Sequence, residues 1–308
     1  MQDSVSAETR KGRSPEAATA PGFAAFSPAA GLSDMGAIVR RHDRDRYQTA
    51  LFAPAERREA LFALYAFNYE VARVRESVTQ PMLGQIRLQW WREVIAAAYA
   101  GGPTRRHEVV RPLAAAIAAL NLSRMHFDRI IDTRERDLDD TPPADRAALI
   151  DYAEGTASAL LFLTLEALDA AEMPTIKAAR AVGIGYALAG LLRAMPFHAA
   201  AGRSYIPREI AARAGLDPAD YARRRDTPAL RATTAELAEA AAAHLAAGRQ
   251  AAARAPRRAQ AALLPAVIAE RYLLRLRRAG FNPFAPELAR PDPLQSWRLA
   301  VAALRGRY

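Results

Sequence analysis

The 308-residue chain contains no cysteine. That excludes disulfides, thiolate metal ligands and cysteine nucleophiles, and it fits a reducing compartment. Metal chemistry would fall to carboxylates and five histidines. Lysine is nearly missing as well: Lys11 and Lys177 are the only two, so the positive charge is carried by arginine. Arg, Glu or Pro interrupts every Ala/Leu-rich stretch before the roughly 20 residues of a bilayer span, which predicts no integral membrane helix. No GxGxxG after a strand, P-loop, HExxH or GxSxG is present, which removes dinucleotide, nucleoside-triphosphate, zinc-protease and serine-hydrolase readings.

What is present reads as helix after helix. Ala/Leu-rich periodic stretches alternate with short Pro, Gly, Asp or Asn breaks, and no segment reads as a strand. The expected helices are 34–46, from Pro54 to about Val78, from Pro81 to Gly101, 108–120, 123–138, 145–170, 173–195, 228–254, 259–279 and 293–305, with shorter pieces around 207–224. Residues 1–33, rich in Ala, Ser, Pro and Gly, read as a disordered leader, a mitochondrial presequence being the alternative; 34–308 read as one helical domain. The net charge of +10 is concentrated at the end, where residues 249–308 hold twelve arginines against three acids.

Several side chains stand out. Leu61, Leu64, Tyr65, Ala72 and Glu76 fall on one helical face, which turns Glu76 inward. Gly183, Gly185 and Gly190 suit close helix approach. Asp132, Glu135, Asp137, Asp139 and Asp140 interleave with Arg134 and Arg136 as on a solvated helix face, with a displaced metal site the competing reading. Trp90 and Trp91 point about 100° apart, so one is expected in the core and the other partly exposed. Arg271, Arg275 and Arg278 share one face of a helix whose other face is leucine. That pattern suits an anionic membrane or acidic partner as well as a surface helix packed on the core. Nucleic acid is not expected, since no recognition module accompanies the arginines.

Ala53-Pro54 through Leu64-Tyr65-Ala66-Phe67, and Gly202-Arg203-Ser204-Tyr205-Ile206-Pro207, resemble the squalene/phytoene synthase family in the right order over residues 40–290. The resemblance implies an all-α, isoprenoid-synthase-like helical bundle with a central cavity. It also implies two D-x-x-x-D turns whose carboxylates hold magnesium against prenyl diphosphates. Those turns are altered here. Ala72 and Glu76 stand at the first pair with Arg73 beside them, and Ala194 and His198 at the second, with Phe197 and Pro196 inside the turn. One carboxylate of four remains, and Pro196 is expected to interrupt its helix.

Within the family, Ala66-Phe67-Asn68, Arg193-Ala194-x-Pro196-x-His198 and Gln295-Ser296-Trp297-Arg298 resemble the mitochondrial assembly factor for respiratory NADH dehydrogenase (complex I), a synthase-like protein without the aspartate motifs. The resemblance implies a non-catalytic assembly factor that needs no cofactor, whose partners are complex I subunits or assembly intermediates. Its implied place is cytoplasmic and peripheral at the inner membrane in a bacterium, or the mitochondrial matrix in a eukaryote. The enzyme alternative is a head-to-head prenyltransferase in which Glu76, Asp132 and Asp137 hold magnesium. A third reading is a lipid or prenyl-phosphate binder using Arg73, Arg193, Arg203 and Tyr205 at the former diphosphate pocket. Glu76 is otherwise an ion-pair partner for Arg73, and His198 a packing or capping residue.

Overall fold

The computed structural model describes residues 33–306, so the leader reading falls outside the described residues save for Ser33. Fifteen α-helices follow one another: α1 Asp34–His42, α2 Arg44–Ala50, α3 Ala55–Ala72, α4 Pro81–Tyr99, α5 Val110–Leu120, α6 Arg124–Glu135, α7 Arg146–Ala153, α8 Ala159–Ala167, α9 Met173–Ala200, α10 Arg208–Ala214, α11 Pro218–Ala222, α12 Pro228–Ala251, α13 Gln260–Leu263, α14 Pro265–Arg278 and α15 Gln295–Arg305. No strand occurs among the described residues, as the periodicity predicts.

Three of the boundaries that differ from the sequence reading do so for a local reason. The first expected helix breaks at Asp43, whose non-helical backbone lets its carboxylate accept from the Arg46 amide at 3.1 Å and start α2. The stretch 145–170 is divided by a π-helical turn, Glu154–Ser158, between α7 and α8. Pro196 does not stop α9, which runs on to Ala200. A proline within the final turn removes a single N–H donor, and the helix tolerates that loss so near its end.

The core assembles around α9, which packs against α8, α12, α14 and the π-helical turn. Two of its glycines make that approach possible. A Cβ on Gly183 would lie 2.6 Å from the Ser158 Cα and 2.7 Å from its N, while one on Gly185 would meet Leu245 at 2.6 Å. Gly190 is different from the expectation, since nothing lies within 4 Å of a Cβ built there. The pair 146–167 and 173–200 is long and apolar enough to cross a membrane, with windows of mean hydropathy 1.3 and 1.2, contrary to the expectation that no stretch would qualify. Both are central helices of the bundle, and 72% and 61% of those windows are buried against protein.

α3 explains another difference. Every residue from Ala60 to Asn68 is buried, so the helix has no single inward face from which to orient Glu76. It ends at Ala72, and the chain turns through a short 3₁₀ helix, Arg75–Ser77, that buries Val74 and leaves Glu76 exposed. Trp91 is buried and edge-on to Phe67, while Trp90 is half-buried, as expected for neighbours about 100° apart.

The glycine contrast predicts opposite stability changes. Gly183→Ala should cost about 2 kcal/mol or more, because the clash is with backbone that has no rotamer to yield. Gly190→Ala should stabilise by about 0.5–1 kcal/mol through helix propensity alone. Urea denaturation followed by circular dichroism measures both; equal effects would contradict the packing described.

Candidate functional site

The second altered turn sits at the C-terminal end of α9, where Gly202 takes a left-handed φ of 67° and closes the helix. The reversal lets the Arg203 amide donate to the His198 carbonyl at 2.8 Å and carries Tyr205 back against the His198 ring, centroid to centroid 4.8 Å. From there Tyr205 reaches Asp137. Its hydroxyl donates to Asp137 Oδ1 at 2.7 Å, and the Tyr152 hydroxyl donates to the same oxygen at 2.8 Å. Arg134 serves both partners, reaching Asp137 Oδ2 at 3.1 Å and the Tyr152 oxygen at 2.7 Å. Arg203 donates to the Tyr205 oxygen at 3.1 Å and to the Asp137 carbonyl at 3.3 Å.

Asp137 is therefore a buried carboxylate, 5% exposed, and not the solvated side chain the charge pattern predicts. α6 stops at Glu135, and a 3₁₀ turn over Arg136–Leu138 points Asp137 and Leu138 into the protein. Asp132 follows the prediction: its side chain is 61% exposed and pairs with Arg92 at 2.8 Å, and Glu135 pairs with the same arginine at 2.6 Å. Burial raises the Tyr152 and Tyr205 hydroxyls above the ordinary phenol value and keeps both protonated as donors. For Arg134 burial alone would favour loss of the proton, but Tyr152 and Asp137 outweigh it and hold the guanidinium charged.

The two altered turns meet through a carboxylate of the 136–140 segment. Arg75, within the first turn, donates to both oxygens of Asp140 at 3.0 Å, and Arg203, just after the second, approaches the same group at 3.4 Å. Arg73 turns elsewhere, to the Tyr69 hydroxyl at 3.2 Å and Glu70 at 3.5 Å, so it is not the partner of Glu76. Arg193 lies apart again, bound to Asp45 at 2.7 Å. The four expected ligand residues therefore do not converge: Arg203 and Tyr205 share one site, and Arg73 and Arg193 belong to two others. The recess beside Arg203 and Tyr205 encloses only about 110 Å³.

Arg46 of α2 lies beside Tyr186 of α9 and near Tyr65 of α3. Its guanidinium donates to Asp43 at 2.6 Å and lies 5.0 Å from the Tyr186 ring centroid. Tyr65, fully buried and hydrogen-bonded to Thr164, has its hydroxyl pushed up to about 12 by burial.

The residues present do not fit magnesium. Ala72 and Ala194 are half-buried methyl groups and Glu76 faces solvent. Both oxygens of Asp137 are already engaged, Asp132 belongs to Arg92, and no group of three or more potential ligands occurs among the described residues. His198 is no base in waiting either. Burial and the nearby Arg203 lower its pKa to about 4, so it is a neutral packing residue at ordinary pH. The basic face of α14 is also divided: Arg271 lies 3.6 Å from Asp292, and Arg275 is tied to the Glu287 and Arg290 carbonyls. Only Arg278 of the three stands exposed. Sequence reasoning missed Arg134 and Tyr152 as partners of Asp137, because a helical wheel extended past Glu135 places the acid on the wrong side.

Three outcomes follow. Tyr205→Phe, which removes one donor to a charged acceptor, should cost about 1.5–3 kcal/mol. Asp137→Ala, which strands Arg134 in the interior, should cost about 3–5 kcal/mol in the same denaturation assay. For His198 the folded-state pKa lies below the unfolded 6.5, so the unfolded chain takes up its proton first. Its contribution, about 1–3 kcal/mol, is whole above pH 6.5 and is lost as pH falls towards 4. His198→Asn should shrink the stability difference between pH 7 and pH 4.5; an unchanged difference would refute the assignment.

The chain matches the squalene/phytoene synthase family over residues 39–305. It is 32% identical over 271 residues to NADH dehydrogenase (ubiquinone) complex I, assembly factor 6, of Rattus norvegicus, covering 88% of this chain and 81% of the rat protein. The Homo sapiens counterpart is 32% identical over 268 residues, covering 85% and 80%. Presqualene diphosphate synthase of Rhodopseudomonas palustris is 32% identical over 213 residues, 69% of this chain and 75% of that one. Among solved structures, squalene synthase from Alicyclobacillus acidocaldarius aligns with a TM-score of 0.72 at 25% identity, covering 81% of this chain and 94% of its own. A dehydrosqualene synthase in complex with ligand shares the fold, with a TM-score of 0.75 at 17% identity over 88% and 94% of the two chains. Because the family match runs unbroken through both altered turns, the chain belongs to the squalene/phytoene synthase family.

Proposed function

We propose that this chain is a non-catalytic member of its family that serves the assembly of respiratory NADH dehydrogenase (complex I). The observation that carries the reading is the replacement of the metal-binding turns by a self-neutralised network. Asp137 and Asp140 are satisfied by Arg134, Arg203, Arg75 and two phenols, which leaves neither of these acids free to hold a cation. The relatives named as complex I assembly factors support it, since the rat protein aligns with 88% of this chain and the presqualene diphosphate synthase with 69%. Complex I subunits or assembly intermediates are the partners, and the work is done without a bound metal. The place that follows is the inner face of the respiratory membrane, in the cytoplasm of a bacterium or the matrix of a mitochondrion.

The prenyltransferase reading draws on the likeness to presqualene diphosphate synthase. It would need Glu76, Asp132 and Asp137 to act on one ion, and they face solvent, Arg92 and the interior respectively.

Deleting the gene in its source cell should lower assembled NADH dehydrogenase and leave carotenoids and hopanoids unchanged. Glu76→Ala should restore assembly fully, since nothing in the reading depends on that acid. Purified protein incubated with farnesyl diphosphate and magnesium should release no pyrophosphate; release beyond one equivalent per chain, or loss of isoprenoids on deletion, would overturn the proposal.

A further inference from the structure

The last helix leaves an apolar seam uncovered. One face of α15 is buried, where Leu299, Ala302 and Ala303 pack with Leu264, Ile268 and Phe52. The opposite face is apolar as well. Leu294 at the helix start, Trp297, Val301 and Leu304 follow one another at spacings of three, four and three, on the side turned away from that core. Val301 is half-buried; the other three are exposed, Trp297 by 62% and Leu304 by 82%. A single exposed leucine needs no explanation, but a helix apolar on both sides, with one side in solvent, presents the kind of patch that marks an interaction site.

The residues around Trp297 are all engaged by the fold, and Trp297 is not. Gln295 donates to Asp45 at 2.8 Å and to Gln48 at 2.7 Å, Ser296 accepts from Gln48 at 2.9 Å, and Arg298 reaches both Asp292 oxygens at 2.5 Å. Those bonds fix the first turn of α15 and hold the indole outward, with no ring or hydrogen-bond partner among the described residues. A seam held in place before anything binds loses little entropy on docking.

Spacing and charge identify the kind of partner. The seam is about 80° wide, narrower than the stripe of about 100° or more that lays a helix on a broad apolar surface, and it has the 3–4 repeat of a helix-to-helix contact. With Leu294 and Val301 at a and Trp297 and Leu304 at d, both Arg298 and Arg305 take the flanking e position. Arg298 is paired with Asp292, whereas Arg305 is exposed and has no ion pair among the described residues. Arg257, also exposed, lies in the 3₁₀ turn leading to Gln260, whose side-chain amide donates to the Ala303 carbonyl at 2.6 Å, so the C-terminal end of the seam is positive. α15 contains no acidic residue. A second copy of it would bring no carboxylate to Arg305 in either orientation, and an antiparallel pair would set arginine against arginine. We propose that the outward face of α15 docks an amphipathic helix of another protein, one with an apolar seam at the same spacing and carboxylates along the flank that meets Arg305. This docking face does not rest on the assembly reading.

Fluorescence anisotropy of a labelled synthetic peptide, titrated with the full chain, tests the proposal. The probe has about three heptads with leucine at a and d and glutamate at e and g, and its control carries lysine at e and g. The acidic peptide should bind roughly tenfold tighter than the basic one and lose affinity as ionic strength rises. Trp297→Ser/Leu304→Ser should weaken the acidic peptide by roughly tenfold, and Arg305→Glu should weaken it while strengthening the basic one. Equal binding of the two peptides, or binding that Trp297→Ser/Leu304→Ser leaves unchanged, would overturn the proposal. So would failure of both peptides to bind: a dimer in light scattering that this variant breaks would then assign the face to a second copy, and co-sedimentation with phosphatidylglycerol vesicles that it abolishes would assign the face to a membrane. The comparison of the two peptides on the wild-type chain decides the matter even if a variant fails to fold.

Discussion

The arrangement around both altered turns depends on one buried carboxylate. Asp137 is 5% exposed, and the groups that occupy its oxygens come from three parts of the chain. Arg134 lies on the preceding helix, Tyr152 enters just before the π-helical turn, and Tyr205 arrives by the reversal at Gly202. Holding that acid therefore fixes where α6, α7 and the end of α9 sit relative to one another. The polar cluster is costly to bury and costly to break, so it acts as a register pin for the bundle.

In the pattern that the family resemblance implies, acids on two helical turns are bridged by bound cations. Here the signs are exchanged, with Arg75 inside the first turn, Arg203 following the second and Asp140 standing between them. An interior that carries its own counter-charges needs no imported ion to offset repulsion. The same exchange operates at α2, where Arg46 is pinned by Asp43 and lies against Tyr186 within the bundle.

Much of this is legible in the sequence, and what is not has a common cause. Ser33 capping α1, Pro81 opening α4, the orientations of Trp90 and Trp91 and the loss of carboxylates at Ala72 and Ala194 all follow from local chemistry that the sequence displays. Glu76, Asp137 and Gly190 were misplaced because each lies where helical periodicity is carried too far or too literally. α3 stops four residues before Glu76, α6 gives way to a 3₁₀ turn before Asp137, and the surface opposite Gly190 is empty. The convergence of Arg134, Tyr152 and Tyr205 on one acid is a tertiary fact with no sequence period behind it.

The arginines of the C-terminal region divide into two populations, and the division explains why charge clustering alone misdirects. On α14 the face read as a membrane-binding stripe is covered by the 286–298 segment, which engages Arg275 through its carbonyls and Arg271 and Arg298 through Asp292. Burial alone would raise the Asp292 carboxyl, but the Leu294 amide and Arg298 outweigh it and hold it low, so the acid stays charged as the anchor of that cover. One acid cannot neutralise three guanidinium groups, and the remainder faces a cleft instead of bulk solvent.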